Sequence, residues 1–82
     1  MNDQEAIDTV SSALMQVVAE ADVRALSPDE PFREALDMDS LDFLSFVEKL
    51  AETTQVRIDE DDYGRLTTMS SCARFLQAAP VR

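Results

Sequence analysis

The sequence contains no histidine. That removes the usual general base and the commonest metal ligand, so no Ser-His-Asp or Cys-His catalytic unit can be assembled. One cysteine, Cys72, is present, which rules out an internal disulfide and a structural zinc site built on cysteines. There are one glycine and three prolines in 82 residues, and aromatics make up 6%. So few breakers and β-formers favour helices over a sandwich or barrel. Cations are scarce as well: seven Lys and Arg stand against seventeen Asp and Glu, for a net charge of −10. A nucleic-acid backbone or an anionic membrane surface is repelled by such a chain, so neither is expected as a partner. Complementary charge favours a basic protein surface instead. No run approaches the roughly 20 apolar residues of a membrane-spanning helix. The first residues, Met1-Asn2-Asp3-Gln4-Glu5, lack the basic start and apolar stretch of a signal peptide, and the expectation is a cytoplasmic protein.

A chain of this length buries only roughly 60–65% of its unfolded surface. The expectation is one domain over residues 1–82, monomeric, with a core too thin for a deep active site. Ile7, Val10, Leu14, Val17, Val18 and Ala21 fall on one stripe and predict a helix over residues 3–21, capped by Asn2 or Asp3. A loop over residues 22–39 follows, because Pro28 and Pro31 deny regular helix. A connection that long is expected to be organised. Leu26, Phe32 and Leu36 are spaced to fold back onto the core, with a short helical turn over residues 32–36.

A second main helix is predicted to start at Ser40, with Asp39 as N-cap and Asp42 three residues on. At about 100° per residue, Phe43, Phe46, Val47 and Leu50 share the buried face, which Leu44 and Ala51 extend. Asp42, Ser45, Glu48, Lys49 and Glu52 take the other side, and Leu41 lies in the middle of them. The Thr53-Thr54-Gln55 run ends this helix, and Val56 and Ile58 tuck inward after it. Residues 59–64 read as a one-turn helix capped by Asp59 and stopped at Gly64. The last helix is predicted over residues 68–78, with Thr67 as N-cap, Met69, Cys72, Ala73 and Leu76 on its stripe, and Pro80 marking its end. On that stripe Cys72 reads as an inert core thiol. The fold class is therefore all-α: three amphipathic helices and a short fourth around one core.

The acidic clusters do not make an EF-hand. Counting from Asp37, positions 1, 3 and 12 are Asp37, Asp39 and Glu48, but Leu41 holds position 5 and Asp42 position 6, where an oxygen ligand and glycine are needed. Exposed carboxylates with no pocket to desolvate them are a solvated face rather than acid–base machinery. The serine at the head of the second main helix has no base and cannot act alone as a nucleophile. From the residues alone, Ser40 is either a plain helix start or a tether for a group that another enzyme attaches.

Asp39-Ser40-Leu41, at the head of an amphipathic helix in a short acidic helical chain, resembles the acyl carrier proteins. The likeness includes the long first helix, the long loop, Leu36 and Asp39-Ser40-Leu41, the short acidic third segment, and Arg65-Leu66-Thr67-Thr68 opening the last helix. The resemblance implies a small four-helix bundle and a carrier rather than an enzyme. Ser40 would be the attachment site of 4′-phosphopantetheine, added from coenzyme A by a phosphopantetheinyl transferase, with Asp39 and Leu41 flanking it. Acyl groups would ride as thioesters on the thiol of that arm. Phe43, Val47, Leu50 and Leu76 would line the acyl space, which the bulk of Phe43 and Phe46 would reshape. Leu41, Asp42, Glu48 and Glu52 would face acyl-transferring and acyl-modifying enzymes with basic patches. The chain departs from the family pattern at Asp37, often glycine there, at Ser45, often acidic, and at Glu48, often apolar; together these imply a specialised partner set. A peptidyl or aryl carrier, and an unmodified acidic interaction module, are the alternatives.

Overall fold

Helix α1 (Asp3–Met15) begins at a reciprocal cap. The Asn2 side chain accepts from the Glu5 amide at 2.8 Å, and the Glu5 carboxylate accepts in turn from the Asn2 amide. Two of the four unpaired amides of the first turn are met in this way. The structure is a computed structural model that describes residues 1–79; Pro80, expected to mark the end of the last helix, lies outside the described residues.

The first helix is shorter than its stripe predicts. It stops at Met15 rather than continuing to Ala21. The amides of Val17 and Val18 both turn back to the Leu14 carbonyl at 2.9 Å, and Ala19 is extended at φ −65°, ψ 138°. Two adjacent β-branched residues weaken the helix here. A second short helix, α2 (Glu20–Arg24), then starts in a new direction. The break leaves Val17 and Val18 half-buried, buries Val23 and exposes Ala21. A rigid continuation would have placed Ala21 on the stripe and Val23 off it.

The long connection is organised, as its length implies. A turn of helix, α3 (Phe32–Ala35), forms within it. Phe32 is fully buried, and Leu26 and Leu36 pack against the core. Two backbone bonds fasten the connection to the far end of the chain: Phe32 N–H to the Thr67 carbonyl at 3.0 Å, and Ser70 N–H to the Pro28 carbonyl at 2.9 Å. Helix α4 (Ser40–Thr54) then runs to a left-handed Gln55 at φ 60°. Near its end Thr54 Oγ1 donates to the Leu50 carbonyl at 2.7 Å and accepts from the Val56 amide at 3.2 Å, which turns Val56 into the core.

A 3-10 helix (Glu60–Arg65) follows Asp59 at its N-cap and ends one residue later than expected. Gly64 does not stop it, for no glycine has a positive φ among the described residues. Helix α5 (Met69–Ala78) is capped by Thr68, not Thr67. Thr68 Oγ1 accepts from Ser71 N–H and Ser71 Oγ accepts from Thr68 N–H, each at 3.0 Å, while the Thr67 carbonyl is committed to Phe32.

Helices α1, α4 and α5 enclose the core, with α1 packed on both others and most extensively on α5. The Gln77 side-chain amide donates to the Asp3 carboxylate at 2.6 Å, so the end of α5 lies beside the start of α1 and the two run antiparallel. Phe46, Leu14, Leu50, Leu66 and Cys72 are sealed between the helices. Every regular element among the described residues is helical, and the fold is all-α. No helix among them is long and apolar enough to cross a membrane.

Candidate functional site

The head of α4 is set by two consecutive helix signals. Helix α3 ends in a Schellman arrangement: Met38 N–H reaches back to the Arg33 carbonyl at 2.9 Å, and Asp37 N–H to the Glu34 carbonyl at 3.3 Å. Asp37 sits at φ 53°, the left-handed region that this motif requires. Aspartate tolerates that region better than most side chains. A glycine would fit this position without strain, and Asp37 occupies it in the left-handed region. Met38 follows as a buried anchor.

Asp39 then caps α4 and Ser40 is the first helical residue. Asp39 Oδ1 accepts from Asp42 N–H at 2.8 Å, and Asp42 Oδ2 accepts from Asp39 N–H at 3.5 Å, the outer limit of a hydrogen bond. The sequence placed this cap correctly. Ser40 is exposed, and its hydroxyl has no hydrogen-bond partner among the described residues. The amides of Ser40 and Leu41 also lack a protein acceptor among them. An exposed hydroxyl at the positive end of a helix dipole, with two amides pointing outward, suits a covalently attached phosphate.

Beside Ser40 lies an open cleft of about 410 Å³ lined by Ser40, Arg33, Phe43, Leu44, Tyr63 and Leu66, with Gly64 and Thr67 at its edge. Its wall is aromatic. The Phe43 ring meets the Tyr63 ring edge-on at 5.4 Å and tilts against Phe46 at 6.2 Å, and Phe46 meets Phe32 edge-on at 5.3 Å. The Arg33 guanidinium lies 4.7 Å from the centre of the Phe43 ring. Leu44, assigned to the buried face, is 41% exposed because it turns toward this cleft. Leu41 is 74% exposed beside Ser40, as its place on the polar side predicts.

The other sequence-predicted site residues divide into two groups. Phe43 lines the cleft, while Val47, Leu50 and Leu76 lie in the core behind it and do not reach its surface. Glu48 and Glu52 are exposed along α4, and Asp42 is half-buried by its capping role. Sequence reasoning missed Arg33, Tyr63 and Leu66. No periodicity links them, since they lie on three segments brought together only by the fold. Cys72 is buried, and burial pushes its thiol up to about 12, which keeps it protonated and inert at neutral pH.

The family model for a phosphopantetheine attachment site matches residues 10–76. The chain belongs to that family. It is a carrier of covalently bound 4′-phosphopantetheine, not an enzyme, and it works with a phosphopantetheinyl transferase and with acyl-handling enzymes. No solved structure matches the carrier. The site fits the group on its own terms: an exposed hydroxyl, free amides at a helix start and an adjoining cleft are all present. The bound arm supplies a thiol on which an acyl group is held as a thioester.

Proposed function

We propose that this chain is a free-standing, monomeric, cytoplasmic acyl carrier protein, a single domain over residues 1–82, with the arm on Ser40 Oγ. It holds acyl intermediates of fatty-acid or polyketide assembly and presents them to successive enzymes. The observation that carries the reading is the exposed, unbonded Ser40 hydroxyl at the head of α4 within the matched segment. Ser40 Oγ attacks the pantetheine-side phosphorus of the coenzyme A diphosphate; the P–O bond to the nucleotide breaks, and adenosine 3′,5′-bisphosphate leaves as the new phosphodiester forms. The chain has no histidine to take its proton, so the transferase supplies the base.

Asp39 and Leu41 flank the tether. Leu41, Asp42, Glu48 and Glu52 form the surface that basic patches of partner enzymes grip, with Leu41 as its apolar contact. The acyl chain enters past Phe43 and, when long, reaches Val47, Leu50 and Leu76 by parting the Phe43–Tyr63 contact. The aromatic wall of the cleft supports a second reading, an aryl or peptidyl cargo.

Intact-mass measurement after incubation with coenzyme A and a broad-specificity transferase tests the assignment. One phosphopantetheine adduct is expected, absent in Ser40→Ala. An unmodified wild type, beside a control carrier that is modified, would sink the reading. Loading the holo form with matched acyl and aryl thioesters and comparing the melting shifts separates the two cargoes.

A further inference from the structure

We infer that Arg33 holds the phosphodiester of the arm against the head of α4. The inference rests on Ser40 as the attachment residue. A phosphodiester there adds one negative charge to a segment that already carries Asp37, Asp39 and Asp42. Two helix amides offset little of that repulsion when solvent-exposed. A cation within the site would offset it in the free holo form as well as on a partner.

Arg33 is the one cation among the residues lining the cleft that contains Ser40. The other described cations are placed elsewhere. Arg24 pairs with Glu20 and Arg57 pairs with Asp59. Arg65 and Arg74 line a separate cleft beside Phe75. Lys49 stands nine residues beyond Ser40 on α4. Arg33 makes no ion pair among the described residues. Its guanidinium is held instead over the Phe43 ring at 4.7 Å.

Phe43 is three residues after Ser40, so the two side chains are neighbours on one face of α4, with Cβ atoms about 5–6 Å apart. The guanidinium over Phe43 therefore shares the cleft with the hydroxyl that bears the phosphate. A contact with the ring uses none of the N–H donors on an ion pair, and a guanidinium fork can give two of them to the oxygens of one phosphate. The Schellman turn of residues 33–38 fixes the backbone of Arg33 to the same corner that starts α4. Arg33 is in this sense a positioning residue: it pins the root of the arm and sends the remainder along the aromatic wall.

The test is a thermodynamic cycle on the isolated carrier, with no partner enzyme: wild type and Arg33→Gln, each apo and holo. Holo formation is first read by intact mass. The apo-to-holo change in melting temperature should be less favourable in Arg33→Gln by about 1–5 °C, and the difference should shrink in high salt. The phosphorus NMR resonance of the holo form should move in Arg33→Gln, move less in Arg33→Lys, and stay in place in Arg74→Gln. In wild type the Arg33 side-chain Nε–H resonance should shift between apo and holo. Equal melting shifts, with an unmoved phosphorus resonance and an unmoved Arg33 signal, overturn the inference while leaving Ser40 modified. Absence of any adduct overturns both readings, and the two failures are told apart by mass.

Discussion

At the head of α4 the reciprocal cap is made by two carboxylates, Asp39 and Asp42; at the head of α5 it is made by two hydroxyls, Thr68 and Ser71. Both satisfy the N-cap and third-residue amides in the same way. The surroundings differ. The α5 start is half-buried, its Ser70 amide is taken by the Pro28 carbonyl, and the residue before its cap receives Phe32 N–H. The α4 start is exposed, and the Ser40 and Leu41 amides have no protein acceptor among the described residues. One helix start is consumed in holding the long connection in place. The other is held open by that connection, beside a cleft. What separates the two helix starts is the set of donors the fold leaves unused.

Phe32 joins the two regions, with its ring against Phe46 of α4 and its amide on the segment before α5. Phe32→Ala should therefore damage both starts together. A cost of about 3–5 kcal/mol is expected, a large part of the stability of a small domain. Urea unfolding measures it. A loss under about 1.5 kcal/mol would mean that the connection holds its place without this side chain.

The two caps can then be set against each other. Thr68→Ala and Asp39→Ala each remove an N-cap acceptor, worth about 0.5–2 kcal/mol. Thr68→Ala should fall at the upper end, because its partner is half-buried. Asp39→Ala should fall at the lower end, because it also relieves repulsion among neighbouring carboxylates. If denaturant curves reverse that order, the distinction between a structural and an open helix start is wrong.

A third probe tests how closed the α5 side is. Burial holds the Cys72 thiol at about 12 in the folded chain, against about 8.5 when unfolded. The folded value is the higher one, so the contribution of the protonated thiol is complete below about pH 8.5 and is lost as pH rises toward 12. The stability gap between wild type and Cys72→Ala should narrow over that window, with other alkaline titrations common to both. Thiol reagents at neutral pH should label Cys72 only as fast as the chain opens. Rapid labelling of the folded protein would show the α5 interior to be accessible.

The sequence foretold what depends on local spacing. Asp39 with Asp42 three residues on reads as a cap, and the apolar set from Phe43 to Leu50 gives the buried face of α4. Leu41 stands out because it breaks that pattern. The inward return of Leu26, Phe32 and Leu36 follows from their hydrophobicity in a loop too long to float free. Features decided by contacts between distant segments were not legible. The end of α1 at Met15 depends on a turn that trades continued helix for burial of Val23. Thr67 and Thr68 are equally good caps until Phe32 claims the Thr67 carbonyl. Arg33, Tyr63 and Leu66 meet Ser40 only after the long connection and the 3-10 helix fold onto α4. The exposed serine at the head of α4 was visible in the sequence, and the cleft beside it was not.

The smallest expected effects concern two residues beside the open site whose types are exchanged relative to their backbone. Asp37 occupies a left-handed position at φ 53°, where glycine fits without strain, while Gly64 has no positive φ and so does not use glycine's special freedom. A Cβ on Gly64 would meet nothing within 4 Å. Gly64→Ala should therefore stabilise the chain by about 0.4–1 kcal/mol, by restricting the unfolded state. The new methyl stands at the edge of the cleft, so it also narrows the space beside Ser40. Asp37→Gly balances relief of the left-handed backbone against a more flexible unfolded chain, and should change stability by less than about 0.5 kcal/mol. Asp37→Ala gains no such relief and places in the left-handed region a residue that tolerates it less well than aspartate, so it should cost about 1 kcal/mol. Thermal unfolding of the three variants, apo and holo, resolves these differences. If Gly64→Ala stabilises the apo form but loses that gain once a bulky acyl group is loaded, the cleft is where the cargo lies. If the gain is the same in apo, holo and acylated forms, the cargo lies elsewhere and the open side of the molecule serves the arm and its partners alone.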